Sequence, residues 1–504
     1  MNKSVNGKKI IAAAVKVILF IAIFAALFAG VYGLTRRKES EKRNKNFFAV
    51  ADKIDVLFLG SSHVINGVNP LQLFEDYGIA SYNLGGHGNV MPVTYWEFAN
   101  ALDYCQPKFV LIDTYLLDKD YHYLDVQTGQ EPQELLDTAV GQLHEVLDVF
   151  PLTKTKIAAL NDLLSTGKAR LEFIFSFIRY HSRWSQLTAD DFSAFTGDLP
   201  LNRQMGAEML FEVDPGIDHY EMISDTRMDD RQSQGREYLR KIIELCMARG
   251  IHPIIIQVPF SANEETQLIA NSAKLIADEY EIPFLNMQYL PGLIDYHSDQ
   301  ASQTHLNMRG AYKTTEFLGE SLSVLELPDR RGDPEYALWE EEVREWHDTI
   351  REKAANPKDL YAALATLQYD DVSSIVFINS NSNAFYDPAL MDMIKTLVGT
   401  NGIEAVSEEH RSYCMIHDSK NDVYLETGGS FPMEDITTSF GVVNFFSPVP
   451  EWIMLTLGDD TETNLLDYYN TSDIDVQIFV FDNRNSELMA HLCFDDAGME
   501  TVAR

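Results

Sequence analysis

In the first two-thirds of the chain, short unbroken apolar runs alternate with stretches of helical period. Val56–Leu59, Ala80–Asn83 and "KFVLIDTYLL" (Lys108–Leu117) are such runs. Runs of this length without a polar alternate read as strands covered on both faces. Between them, Asn69-Pro70 supplies an N-cap and a first-turn proline for a helix to about Tyr77, and residues 92–104 continue as helix. The alternation resumes with a helix over 233–249, a strand "HPIIIQV" (His252–Val258), a helix over 264–280 and a strand "IPFLNM" (Ile282–Met287). Strands separated by helices require right-handed crossovers, hence a parallel sheet between two helical layers. The expected class is α/β, a three-layer flavodoxin-like sheet.

Two regions break this rhythm. Between Asp120 and Asp230 the period is mostly helical, with Leu135/Leu136, Ala139/Val140, Leu143 and Val146/Leu147 on one face. That predicts a helical insertion over about 120–230. After "DRRGDP" (Asp329–Pro334) an acidic helix is expected around Trp339–Glu352. It is followed by "SSIVFINS", a helix near 388–398, and the strand-like runs "RSYCMIHD", "DVYLETG", "WIMLTLG" and "VQIFVFDN". Asn421-Asp422 reads as a hairpin turn, and "FDNRNSELMAHLCF" as strand–turn–strand. The expected organisation is an anchor and charged linker over 1–46, an α/β domain over 47–328, and an α+β domain over 333–504.

The anchor rests on Ile10–Leu34, apolar except for Lys16; as a helix, the uncharged core Val17–Leu34 spans about 27 Å, close to a bilayer's hydrocarbon thickness. No Ala-x-Ala-like site follows, so an uncleaved transmembrane helix is expected. Lys3, Lys8 and Lys9 precede it, while Arg36, Arg37, Lys38, Lys42, Arg43 and Lys45 follow. Counted alone, those charges put the bulk of the chain in the cytoplasm.

Composition narrows the partners. With 76 acidic against 40 basic residues the formal charge is −36, a field that repels phosphate backbones, so nucleic acid is not an expected partner. The excess is concentrated: residues 333–504 hold 33 acidic and 9 basic side chains. Four scattered cysteines form no CxxC pair and no His/Asp/Glu cluster has zinc spacing, so neither a metal nor a cofactor is expected.

The chemistry sits where strands end. "VLFLGSSHVING" (residues 56–67) runs from a buried strand into Gly60-Ser61-Ser62, and "NLGGHGN" (83–89) follows the next strand. Parallel sheets form sites at these carboxyl ends. Gly-Ser-Ser alone is common in turns, and the glycine cluster lacks the GxGxxG register of a dinucleotide loop. A serine at such a tip becomes a nucleophile only if a base takes its proton, and imidazole suits that task near neutrality.

Taken with "THLNMRGAYKTTEFLG" (304–319), these segments resemble, in order, three motifs of the SGNH/GDSL hydrolase superfamily. The resemblance covers roughly residues 54–323 without the insertion. It implies Ser62 as nucleophile, His305 as base, and the backbone N–H groups of Ser62 and Gly88 as the oxyanion hole. His63, His87, Asn66 and Ser302 are candidate pocket groups. The chain departs from the superfamily twice. Its third-motif asparagine has no counterpart in "FVLIDTYLLDKD", where Thr114 or Tyr115 could donate instead. The carboxylate expected three residues before the histidine is replaced by Ser302, leaving Asp299, ahead of Asp295, as orienting group, or a Ser–His dyad without a carboxylate. An anchor plus a helical insertion is similar to membrane-tethered proteins of teichoic-acid alanylation and alginate acetylation. That likeness implies a single-pass protein of the cell membrane with an extracytoplasmic bulk. The implied function is a serine esterase or O-acyltransferase acting on acyl (acetyl) esters of a cell-surface glycan. The alternative is a non-catalytic module binding glycan or a membrane-embedded acyltransferase.

Overall fold

The five apolar runs of the first two-thirds pair into one sheet. Val56–Gly60 (β1), Ser81–Gly85 (β2), Phe109–Asp113 (β3), His252–Gln257 (β4) and Phe284–Asn286 (β5) lie in the order β2-β1-β3-β4-β5, every pair parallel. This is a doubly wound order, with its switch point beside β1. The structure, a computed structural model, describes residues 2–36, 45–119, 133–192, 203–409, 411–426, 434–449, 452–458, 463–466, 474–495 and 498.

The unbroken apolar runs are explained by two covered faces. Leu57, Leu59, Val110, Ile112 and Ile255 pack on one side with Phe98 of helix α4 (Met91–Ala101) and Leu239, Ile242 and Ile243 of α9 (Gln234–Ala248). Val56, Phe58, Leu111, Ile254 and Ile256 pack on the other with Val64 of α2 (Ser62–Gly67), Leu73 of α3 (Pro70–Tyr77), and Leu318 and Leu322 of α11 (Met308–Ser323). α10 (Glu264–Tyr280) closes the first face with Ile269, Ala273 and Ile276.

Two of the boundaries that differ from the sequence reading bear on the site. β2 runs two residues beyond Asn83, so Gly85 lies in the sheet opposite Gly60. β3 stops at Asp113 instead of Leu117, because residues 114–117 turn there. The insertion leaves between β3 and β4. Its helices α5 (Gln133–Leu147), α6 (Lys154–Leu163) and α7 (Gly167–Ile174) share a core with Val93 of α4, and α8 (Phe177–Tyr180) follows, the Tyr180 ring meeting that of His144 edge-on. Leu135, Leu136 and Ala139 lie outside the residues whose side chains are described.

The second half of the insertion is a correction: residues 203–232 contain no helix. This stretch is an extended strap that spends its backbone groups on the sheet's loops. Asn83 N donates to Met205 O, Glu208 N to Ile65 O, Met308 N to Leu210 O, and Asp214 N to Gln300 O. Helical hydrogen bonds would forfeit these partners.

Beyond residue 333, α12 (Ala337–Ala355) places Trp339, Trp346 and Ile350 in the same core as the first face of the parallel sheet. α13 (Leu360–Thr366), β8 (Val372–Ile378), α14 (Pro388–Val398) and α15 (Gly402–Glu408) follow. β8 joins β9 (Tyr413–Asp418), β10 (Val423–Glu426), β15 (Val476–Asp482) and β16 (Glu487–Phe494) in an antiparallel sheet ordered β10-β9-β8-β15-β16. A four-stranded sheet, β11 (Glu434–Thr438), β12 (Gly441–Val449), β13 (Trp452–Leu457) and β14 (Thr463–Leu466), packs on it through Phe377, Ile416, Val443 and Leu455. Of this second sheet the sequence reading named only β13.

At the other end, α1 (Asn2–Thr35) contains one segment, Lys9–Thr35, long and apolar enough to cross a membrane, with none of its apolar window buried in the protein.

Candidate active site

Gly60 ends β1 where space is tightest. A Cβ there would lie 2.8 Å from Val64 Cγ2 and 3.0 Å from Asp113 Cβ. The chain then turns directly into α2, capped by Ser61, whose Oγ accepts from His63 N. Ser62 is thus the first residue of the helix, and its N–H lies in the first turn, where backbone donors lack intrahelical acceptors. Asn83 fixes α2 to β2, its Nδ2 donating to Val64 O at 3.1 Å and Val68 O at 2.8 Å.

His305 approaches from the opposite direction. Gln300–Ser302 (β6) and His305–Leu306 (β7) form a small antiparallel hairpin ahead of α11. Asn307 caps that helix by accepting from Arg309 N and Gly310 N, and ties back by donating to Ser298 O. The hairpin is held in a register that brings the imidazole to the serine. Ser62 Oγ lies 2.8 Å from His305 Nε2, across 243 residues of chain. Ser62 is 9% exposed.

The other imidazole nitrogen faces hydroxyls. Ser302 Oγ is 3.0 Å and Thr304 Oγ1 3.1 Å from His305 Nδ1. With Nε2 accepting the serine proton, Nδ1–H donates to one of them. Burial, and then the nearby His87, lower the pKa of His305, so it is neutral and able to accept a proton at pH 7.

Asp299 does not orient this histidine. Its carboxylate is fully buried and held by Arg309 Nε at 3.1 Å, by Lys313 Nζ and by the Asp295 N–H at 2.9 Å. Two cations outcompete an imidazole for the same oxygens. Asp295 is engaged elsewhere too, accepting from His297 N. The four candidate pocket groups divide. His87 is half-buried and 3.0 Å from Glu208 Oε2 on the strap. Ser302 touches His305. Asn66 is structural, its Nδ2 donating to Glu208 O.

His63 is enclosed. Its ring stacks on Tyr115 with centroids 3.5 Å apart, meets Phe260 edge-on at 4.8 Å and lies 5.5 Å from the His305 ring. Both its nitrogens are buried without a partner among the described residues. Burial, then the proximity of His305, push its pKa well below the usual imidazole value, so it stays neutral.

Gly88 follows β2 at φ +67°, a conformation that favours glycine, in a turn where Asn89 N donates to Gly86 O. A Cβ on Gly88 would sit 3.1 Å from Gln142 Oε1 of α5, so the insertion borders this loop. Neither proposed substitute for the missing asparagine is free. Thr114 Oγ1 donates to Ile256 O and Gln257 Oε1, and Tyr115 spends its N–H on Asp113 Oδ2 and its ring face on His63. Asp113 braces the floor by accepting from Val258 N and Tyr115 N, and burial raises its pKa to about 7. His63 and Tyr115 were singled out in the sequence, but Phe260 and the strap were not, because they reach the site from distant parts of the chain. Among the described residues, no group of three or more His, Cys, Asp or Glu could hold a metal ion.

No model of a known protein family matches the chain, and no curated protein matches it. The functional reading therefore stands on geometry and on the motif resemblance alone.

The hydroxyl pair in place of a carboxylate gives a directional prediction. kcat/KM for an activated acetyl ester should rise through an ionisation below the ordinary histidine value and be flat above it. Ser302→Asp brings a negative charge to Nδ1 and should move that limb upward by about one unit or more. A limb that does not move would mean that a group other than His305 titrates.

Proposed function

We propose that this chain is a membrane-anchored serine esterase or O-acyltransferase of SGNH type, acting on acyl esters of a cell-surface glycan. One observation carries the reading: the 2.8 Å contact between Ser62 Oγ and His305 Nε2, at the carboxyl end of a parallel sheet. In this reading His305 takes the hydroxyl proton as Ser62 attacks the ester carbonyl. The oxyanion is met by the N–H groups of Ser62 and Gly88. The imidazolium then protonates the leaving alkoxide. Water or an acceptor hydroxyl next releases the acyl group, its proton passing to His305. α1 holds the catalytic unit at the membrane. Because the substrate is an envelope polymer, the bulk lies outside the cytoplasm, against the count of flanking charges.

A fluorophosphonate probe tests the nucleophile. The full chain in detergent should label stoichiometrically at Ser62, and Ser62→Ala with an unchanged melting profile should not label. A second reading is favoured by the hydroxyls at His305 Nδ1, which stabilise an imidazolium less than a carboxylate would. It makes the protein a non-catalytic module that binds glycan or a membrane-embedded acyltransferase. Absence of labelling in the folded wild type supports this second reading.

A further inference from the structure

The insertion presents an apolar surface to solvent where α1 leaves its apolar span. Phe175, Ile178, Trp184 and Phe192 are 57%, 40%, 71% and 51% exposed, and Leu171 and Ile174 border them. Large apolar side chains gathered at one place mark a contact surface rather than chance exposure.

This surface is continuous with the anchor. The Phe177 ring meets that of Phe28 at 5.0 Å, edge to face, and Tyr32 Oη is 2.8 Å from Ser176 Oγ. Arg183 donates to Thr35 O at 2.9 Å and Arg36 O at 2.6 Å, joining the end of α1 to the turn that carries Trp184. Phe28 lies seven residues before Thr35, which at about 1.5 Å per residue is about 10 Å back along the helix. Side chains level with Phe28 are therefore inside the apolar layer whenever α1 spans it. The acidic excess of the chain is absent here: residues 165–192 hold four basic side chains and three acidic, in a chain of formal charge −36. Aromatic side chains beside arginines and lysines suit the headgroup boundary of a bilayer.

We propose that the face formed by α7, α8 and the turns over 181–192 is a second membrane contact, embedded in the same leaflet from which α1 emerges. This goes beyond the proposed activity but rests on α1 being a membrane span. The seat is coupled to the site: Phe173 of α7 shares a core with Leu143 and Val146 of α5 and with Val93 of α4, while Gln142 of α5 borders Gly88. A chain fixed at two points cannot swing freely on its linker, so the site is held at a set height and tilt above the lipid.

Tryptophan quenching by brominated lipid tests this on the full chain in phosphatidylcholine–phosphatidylglycerol vesicles. The difference between wild type and Trp184→Phe isolates the Trp184 emission. Phe24→Trp in the Trp184→Phe background reports on α1 by itself. The expected result is that both signals lose most of their emission to brominated lipid and resist aqueous iodide. If Phe24→Trp is quenched by lipid but Trp184 is quenched only by iodide, the seat is wrong and the anchor stands. Shielding of Trp184 from both reagents also overturns the proposal, in favour of a protein cover. Failure of both positions to meet lipid removes the anchor and the seat together.

Discussion

Ser62→Ala, His305→Ala and the double variant are expected to fall to the same residual turnover of an activated acetyl ester. Ser62 and His305 act through a single shared proton, so deleting either removes what the other contributes, and their losses do not add. The size of the loss follows from what stands at His305 Nδ1. In a complete Ser-His-Asp protease, removing the triad costs about 10⁶ and removing only the aspartate about 10⁴, leaving about 10² for a serine–histidine pair that lacks its carboxylate. Ser302 and Thr304 hold the ring in its tautomer, which recovers part of the orientation but little of the charge stabilisation. A drop of about 10²–10³ is therefore expected, in kcat more than in KM. Two single losses that multiply in the double variant would mean that the side chains act independently, and the shared-proton mechanism would be abandoned.

The sequence made the sheet legible because its strands are buried on both faces. An unbroken run such as Phe109–Ile112 has few other ways to be satisfied, and Asn69-Pro70 marks a helix start by local geometry alone. Ser62 was legible for a related reason, since it lies at the end of a strand that the pattern marks, whereas His305 was reached only through the resemblance of residues 304–319 to a family motif. What could not be read depends on which distant groups compete for a side chain. Asp299 is six residues before His305, a separation that allows contact, yet Arg309 and Lys313 on α11 claim it. The strap over 203–232 has mixed periodicity because its partners are loop backbones instead of its own turns. The C-terminal third suggested no chemistry in sequence. In the fold, Asp392 of α14 receives Ser298 Oγ and lies 3.5 Å from Arg309 Nη2, directly behind the hairpin that carries His305. Its contribution to the site is support.

That support makes Asp299→Asn the variant with the largest expected loss of stability. Asp299 and Arg309 are both fully buried, and Arg309 Nη1 has no partner among the described residues. Neutralising the carboxylate leaves the guanidinium and Lys313 to face an amide, and it turns an amide N–H toward either Arg309 or the Asp295 N–H. Breaking a buried pair from one side costs about 3–5 kcal/mol, and the Asp392 carboxylate 3.5 Å from Arg309 Nη2 holds the loss to the lower end of that range. Denaturant melts should show a lowered midpoint with an unchanged slope, since the surface exposed on unfolding stays the same. Per folded molecule, turnover should fall far less than in Ser62→Ala, because no oxygen of Asp299 touches the imidazole. The comparison separates two roles that a simple activity loss would confuse. A carboxylate that oriented His305 would cost turnover and spare the midpoint. One that anchors α11 beneath the hairpin costs the midpoint first and disturbs His305 only through the loosened frame. Pairing with Lys313→Met should show coupling, because once Asp299 is neutral the lysine has no buried partner left to lose.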